Sequence, residues 1–231
     1  MKLPKVLVGC PTSFHKEYCL DKYVAGVKAL TYKSFDILLV DNSKDNTYFE
    51  KIKKSGLPVV KGPWFEGAMD RIITSRNILR QKALDEGYDY FFSLEQDVIP
   101  PPDVLERVLK HDKKIVTGIY FAHNTMPDGS APLIPLVYKL VDEKTLTMVP
   151  IAPKEFESNA LIEVVSAGLG CVLIHRDVLK DVKFRYENKV FDDRFFFIDC
   201  HHKGFKVFCD TSVKCKHFIL NRPYPWSVIK K

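Results

Sequence analysis

Residues 90–102 read Tyr-Phe-Phe-Ser-Leu-Glu-Gln-Asp-Val-Ile-Pro-Pro-Pro, and they hold the spacing in this chain that most invites a chemical reading. Glu95 and Asp97 stand one residue apart. They follow an apolar run whose length and aromatic content suit a buried strand, and they precede three prolines that neither strand nor helix can run through. Two carboxylates are thereby held at a strand end. In open α/β sheets ligands bind outside that end, and carboxylates placed there can hold a hard cation and, through it, phosphate oxygens. Taken alone, an acid-x-acid triplet is more commonly an acidic turn that keeps a strand end hydrated. A second pair, Asp192-Asp193, precedes the aromatic run 195–197. Carboxylates at a helix start are favoured by the helix dipole whether or not they do chemistry.

The elements that must position these groups alternate along the chain. Residues 5–10 form a short β-rich run ending at Pro11-Thr12-Ser13, and a helical pattern covers about 16–30. A second buried run, 36–40, ends in the polar loop 41–47. A short helix over 44–54, a strand at 57–61 and a long amphipathic helix over 70–86 follow, the last with Ile73, Asn77, Leu79 and Ala83 along or near one face. Gly87 ends that helix, and the strand carrying the acidic pair starts directly after it. Further on, 104–110 reads as a short helix, 115–121 as a strand, 124–135 as a loop, 136–141 as strand-like and 150–159 as irregular. The stretch 164–174 contains Ser166-Ala167-Gly168-Leu169-Gly170-Cys171, where two glycines admit close approach of a ligand or another strand, or mark a bulge. A helix after Asp193, a glycine at 204, a strand at 206–209, Asp210 and a last strand ending in His217 complete the pattern. Such alternation predicts an α/β fold with a parallel sheet covered on both faces.

A chain of 231 residues with 46% hydrophobic content can bury a full core and is expected to form one domain. No apolar run approaches a membrane span, and Met1-Lys2-Leu3-Pro4 leads directly into a strand without a signal-peptide pattern, so the expected location is the cytoplasm. The basic, aromatic tail 221–231 either lies peripherally at a membrane surface or packs back on the domain. Six scattered cysteines without a Cys-x-x-Cys pair argue against zinc and against a disulfide framework. The net charge of +6 suits an anionic partner, but the lysines are dispersed and no basic block is interleaved with aromatics, which argues against nucleic acid. His201 and His202, mid-helix beside Lys203, read as a solvated face.

The strand ending in Pro11-Thr12, the strand ending Leu39-Val40-Asp41-Asn42-Ser43, Arg76-Asn77 inside a long helix and Glu95-Gln96-Asp97 at a strand end together resemble the nucleotide-sugar-dependent glycosyltransferases of the GT-A fold, of the family-2-like inverting type. The resemblance covers most of the chain. It implies a Rossmann-like, mostly parallel central sheet with helices on both faces, a nucleotide-binding half at 1–121, and an acceptor-binding half at 122–231 with the catalytic helix and the tail. It also implies that Pro11, Thr12, Asp41, Asn42, Arg76 and Glu95 face the nucleotide, Asp41 meeting the base. A divalent cation, Mn²⁺ or Mg²⁺, would sit on Asp97, Glu95 and His217. Glu replaces the usual Asp at position 95, which leaves that side chain to touch metal, ribose or only water. By position Asp193 is the catalytic base, with Asp192 able to exchange roles with it.

A carboxylate suits that role because an acceptor hydroxyl is a poor nucleophile until its proton is taken. The leaving nucleoside diphosphate carries developing negative charge, which a divalent cation stabilises as a Lewis acid. The resemblance thus implies a metal-dependent transferase of hexosyltransferase type. It would act on a nucleoside-diphosphate sugar and a sugar, lipid-linked glycan or small hydroxyl acceptor. Two alternatives stand beside it. A sugar nucleotidyltransferase would carry a Gly-rich phosphate loop and a basic residue after the first strand, where this chain has Cys10-Pro11-Thr12-Ser13-Phe14-His15. A GT-A-like module that binds nucleotide or glycan without catalysis would have no need of Asp97, Asp193 and His217 together.

Overall fold

The computed structural model describes residues 3–123, 129–187 and 192–219, and the backbone of 222–223. An eight-stranded sheet carries the chain. In sequence order its strands are β1 (Val6–Thr12), β2 (Phe35–Asp41), β3 (Val59–Lys61), β4 (Tyr90–Leu94), β5 (Ile115–Ile119), β6 (Leu161–Val164), β7 (Cys171–His175) and β8 (Val207–Lys214). In space they run β6-β8-β5-β7-β4-β1-β2-β3. β4, β1, β2 and β3 are mutually parallel, and β8 is parallel to β5. β7 is inserted antiparallel between β4 and β5, and β6 is antiparallel to β8 at the edge. The sheet is thus Rossmann-like and mostly parallel, with two reversed strands, and its fold is of the GT-A type.

Alternate side chains of each strand feed two cores, as the two-residue period of a strand requires. Leu7, Val40 and Phe91 point to one face. There they meet Leu79 and Ala83 of α3 (Ala68–Asp85), Val178 and Leu179 of α6 (Arg176–Asp181), and Phe196, Phe197 and Cys200 of α7 (Asp192–His202). Val6, Val8, Cys10 and Phe92 point to the other face. There they meet Tyr23 and Val27 of α1 (Leu20–Lys28), Tyr48 and Ile52 of α2 (Thr47–Lys54), and Val104, Leu105 and Val108 of α4 (Val104–Leu109). All five residues of β4 are buried, as expected of a strand packed on both sides. All six cysteines are buried as free thiols. Among the described residues no helix is long and apolar enough to cross a membrane.

Several boundaries differ from the sequence reading. The pattern at 16–30 opens as a 3-10 segment, Phe14–Cys19, and becomes α-helical only at Leu20. The 115–121 run is broken at Tyr120, so Phe121–His123 leaves the main sheet and pairs with Leu133–Pro135, inside what reads as a loop. The 164–174 run is interrupted at its glycines, and Ser166–Ala167 pairs instead with Val137–Asp142. Asp210 does not close a strand but lies inside β8. The segment 150–159 contains the single turn α5 (Pro153–Phe156). His217 lies within the strand Lys216–Ile219 rather than at its end, and that strand pairs antiparallel with Val98–Ile99. Residues 124–128 of the loop reading, Phe191, and the tail apart from residues 222–223 lie outside the described residues.

Candidate functional site

The carboxyl ends of β1, β2 and β4 open into a cavity of about 290 Å³, closed on its far side by the start of α7. Pro11, Thr12, Lys16, Asn42, Arg76, Glu95, Gln96, Tyr120, Asp192, Asp193 and His217 are among the residues that line it. Glu95 and the helix-start carboxylates, distant in sequence, therefore face one space, and Asp97 lies behind Lys16 and His217 in its wall.

Asp97 is placed by a pairing that no sequence pattern announces. Val98–Ile99 and Lys216–Ile219 form a short antiparallel ladder in which His217 opposes Val98, and Phe218 N–H donates to the Asp97 carbonyl at 2.8 Å. His217 Nε2 consequently lies 3.4 Å from Asp97 Oδ2, while its Nδ1 lies 2.7 Å from the Phe121 carbonyl oxygen. A carbonyl only accepts, so Nδ1 carries a proton and Nε2 is the atom aimed at the carboxylate. Lys16, on the 3-10 segment, forms an ion pair with the same Oδ2, and the Tyr18 hydroxyl stands 3.4 Å from it. The other oxygen, Asp97 Oδ1, is buried without a hydrogen-bond partner among the described residues. Burial alone would raise the Asp97 pKa, but His217 and Lys16 outweigh it and hold the carboxyl below its ordinary value. The same pairing raises the His217 pKa against its own burial.

These atoms fit a hard divalent cation. A carboxylate oxygen left unpartnered in the protein interior is costly unless something meets it, and an imidazole fixed through Nδ1–H to a backbone carbonyl is oriented as metal-bound histidines are. Asp97 and His217 are two candidate ligands, not three. Among the described residues no group of three or more His, Cys, Asp or Glu side chains converges, and Mg²⁺-type sites commonly use one or two carboxylates plus substrate phosphates and water. Glu95 does not stand beside Asp97 in the pairing. Its carboxylate turns to Arg76.

Arg76 projects from α3 and is 2% exposed. Nη1 donates to Ser93 Oγ of β4 at 2.9 Å, Nη2 pairs with Glu95, and Nε lies 2.6 Å from Asp192 Oδ2. That last contact is an ion pair by distance without hydrogen-bond alignment. Burial would lower the Arg76 pKa, yet Asp192 and Glu95 carry it above its ordinary value. Both carboxylates are thus matched by one guanidinium, and α3, the acidic loop and the start of α7 are locked together. Among the described residues Asp193 has no such cation. It is half-buried, accepts from Arg194 N–H at 2.7 Å, and its pKa is raised to about 6, first by burial and then by the charges of Asp192 and Glu95. Of the adjacent pair, Asp193 is the one suited to take a proton near neutral pH.

On the nucleotide side, Asp41 is fully buried and already engaged. Oδ1 accepts from Ser43 N–H at 3.0 Å and Ser43 Oγ at 2.5 Å, and Oδ2 accepts from Lys61 Nζ at 2.7 Å. Asn42 lines the cavity, its amide donating to Ser75 Oγ at 3.1 Å. Thr12 donates its hydroxyl proton to the Gln96 Oε1, and Gln96 Nε2 reaches the Lys16 carbonyl at 2.6 Å. Gln96, the unremarked middle residue of the triplet, thus ties β1 to the acidic loop. Tyr120 is the other wall that the sequence reading passed over. Its hydroxyl accepts from Gly170 N–H at 2.9 Å, and its ring meets His217 edge-on at 5.1 Å between centroids. A Cβ on Gly168 would sit 2.1 Å from that hydroxyl, and one on Gly170 2.7 Å from it, so both glycines make room for Tyr120. Lys16 was also missed, because in the sequence it is one of the dispersed lysines.

No protein-family model matches the chain, and no curated protein matches it. Solved structures share the fold. A197 from STIV aligns over 94% of this chain and 87% of its own, with a TM-score of 0.54 at 19% identity. S. aureus TarS 1-349 in complex with UDP-GlcNAc aligns over 91% of this chain and 58% of its own, with a TM-score of 0.56 at 14% identity. S. aureus TarS aligns over 89% of this chain and 35% of its own, with a TM-score of 0.58 at 16% identity. The present chain therefore spans little more than half of the shorter TarS chain and about a third of the longer one, and at these identities the likeness is one of fold.

Proposed function

We propose that the chain is a glycosyltransferase, inverting and of hexosyltransferase type, that moves a sugar from a nucleoside-diphosphate sugar to a hydroxyl of a sugar, lipid-linked glycan or small acceptor. The observation that carries this reading is a buried Asp97 carboxylate with an unpartnered oxygen, held just behind Lys16 and His217 of the cavity wall, together with Asp193 in the same wall, a half-buried carboxyl near pKa 6. The first suits a cation on a diphosphate, the second a general base. Fold alone would not license this, because one fold hosts many functions. That TarS, which shares the fold, is seen with UDP-GlcNAc adds weight to a nucleotide-sugar donor.

Asp97 and His217 are the residues that would hold Mn²⁺ or Mg²⁺, which when bound neutralises charge on the departing diphosphate. Asp193 accepts the proton of the acceptor hydroxyl as the new glycosidic bond forms. Asp192 stays with Arg76 and keeps the start of α7 in place. Asn42, Thr12 and Pro11 form the wall on which the nucleotide lies, Asp41 shaping the turn beneath it through Ser43 rather than reaching the base with a free oxygen. Residues 1–121 bear the donor side and 122–231 the acceptor side.

A thermal-shift series of nucleoside diphosphates with and without Mn²⁺, UDP first, tests the donor half of the proposal. A ligand that binds only the folded chain raises its apparent stability, by about 2.7 kcal/mol at 100 times Kd. At least one nucleoside diphosphate is expected to raise Tm, and to do so more with Mn²⁺. A panel without any shift in either condition would end the nucleotide-sugar reading.

A further inference from the structure

We propose that Lys16 is a two-position cation, paired with Asp97 in the metal-free chain and turned onto the donor's diphosphate once a divalent ion takes over that carboxylate. The inference rests on the reading above. Its geometry is local and asymmetric: the Lys16 side chain is 38% exposed and lines the cavity, whereas the Asp97 side chain it pairs with is 3% exposed. The second Asp97 oxygen is buried and unpartnered, and His217 Nε2 stands 3.4 Å from the first. An ammonium held on one oxygen of a carboxylate repels a divalent ion approaching the other, so each cation weakens the hold of the second.

The cavity also needs a cation that can move. Glu95, Asp192 and Asp193 all face it, so an incoming diphosphate meets negative charge. Arg76 cannot answer, being buried between Glu95 and Asp192. His217 is tethered through Nδ1 to Phe121. Lys16 has four methylenes, a partly exposed head and a place on the cavity wall, so a change of side-chain torsions alone redirects its charge. The ion pair with Asp97 then keeps a buried carboxylate compensated until metal arrives, which avoids the cost of an unpaired buried charge.

The test measures Mn²⁺ binding to the full chain by electron paramagnetic resonance, with no nucleotide present, for wild type, Lys16→Met, Lys16→Arg and Asp97→Asn. Lys16→Met is expected to bind Mn²⁺ about tenfold or more tightly than wild type, Lys16→Arg to stay near wild type, and Asp97→Asn to lose the site. With saturating Mn²⁺, UDP or the best nucleoside diphosphate of the series should bind Lys16→Met about tenfold or more weakly. The opposite signs are the signature, since a lysine that merely braces the loop would weaken both. Unchanged or weaker Mn²⁺ binding in Lys16→Met overturns the first position, and unchanged diphosphate binding overturns the second. A wild-type chain that binds Mn²⁺ but no nucleoside diphosphate overturns the transfer reading and Lys16's second position with it. A wild type that binds both, beside a Lys16→Met indistinguishable from it, overturns this inference alone.

Discussion

Asp193 carries opposite consequences for activity and stability. Its folded pKa of about 6 lies above the ordinary carboxyl value of 3.8, so the folded chain holds a proton that the unfolded chain has lost between about pH 4 and 6. Stability from this group is present below pH 4 and is lost as pH rises through 6. Asp193→Asn removes the cost of the charge, and the variant should be about 2 to 3 kcal/mol more stable than wild type at pH 7 and within about 0.5 kcal/mol of it at pH 4, read by urea denaturation at both. Transfer by the wild type should rise with pH through about 6, and Asp193→Asn should lower turnover by about 10² to 10⁴ while leaving donor affinity unchanged. Asp192→Asn should behave differently, because its loss leaves Arg76 under-compensated: stability falls first. If Asp193→Asn keeps wild-type turnover, the base lies elsewhere. Asp41 presents a similar contrast of roles. With both oxygens satisfied inside the protein, Asp41→Ala should destabilise the chain by about 1 to 3 kcal/mol, and a loss of nucleotide affinity without loss of stability would return it to the base-contacting role.

At the scale of elements, the site is assembled by two joints. One is the Arg76 clamp, where a single guanidinium from α3 meets β4, the acidic loop and α7. Arg76→Met leaves two carboxylates without their cation and should cost about 3 to 5 kcal/mol. Hydrogen exchange of α7 amides should accelerate well before those of β1, and uniform acceleration across the fold would mean that the clamp is not local. The other joint is the contact of Tyr120 with the glycine-bearing turn before β7. Gly168→Ala forces a Cβ against the Tyr120 hydroxyl and should cost about 1 to 3 kcal/mol as an overpacked site. Tyr120→Leu in the same chain should restore part of that loss, since the two changes share one contact. Additive losses in the double variant would show that the glycine answers to something other than Tyr120.

Over the whole molecule, the sheet divides the core in two, and neighbouring residues of β4 report on opposite halves. Phe91 faces α3, α6 and α7, and Phe92 faces α1, α2 and α4, both fully buried. Each Phe→Ala change should cost about 3 to 5 kcal/mol, and the pair together approaches the 5 to 15 kcal/mol by which domains are stable at all. Calorimetry of the double variant should show no cooperative transition near that of wild type. The cavity lies where β4 and β1 end and their covering helices part, so the same sheet that builds both cores also opens the site between them.

The alternation of buried runs and amphipathic segments was enough, from sequence alone, to predict an α/β sheet covered on both faces, and the proline block after Asp97 was enough to hold two carboxylates at a strand end. Both are local: period, turn residues and chain stiffness act within a few residues. The reversed strand β7 was not legible, because a buried run reads the same in either direction. Nor were the partners of the charged residues. Glu95 and Asp97 share a triplet, yet one turns to Arg76 and the other to Lys16 and His217, since the chain turns at residues 95–98, where Val98 N–H donates to the Glu95 carbonyl, and so breaks the strand alternation that would put both on one side, and since the strand at Lys216–Ile219 arrives from more than a hundred residues away. Which of the adjacent pair is held by the buried guanidinium of α3, Asp192, and which is left to rise to about 6 by burial, Asp193, was decided in the same way, by what Arg76 could reach.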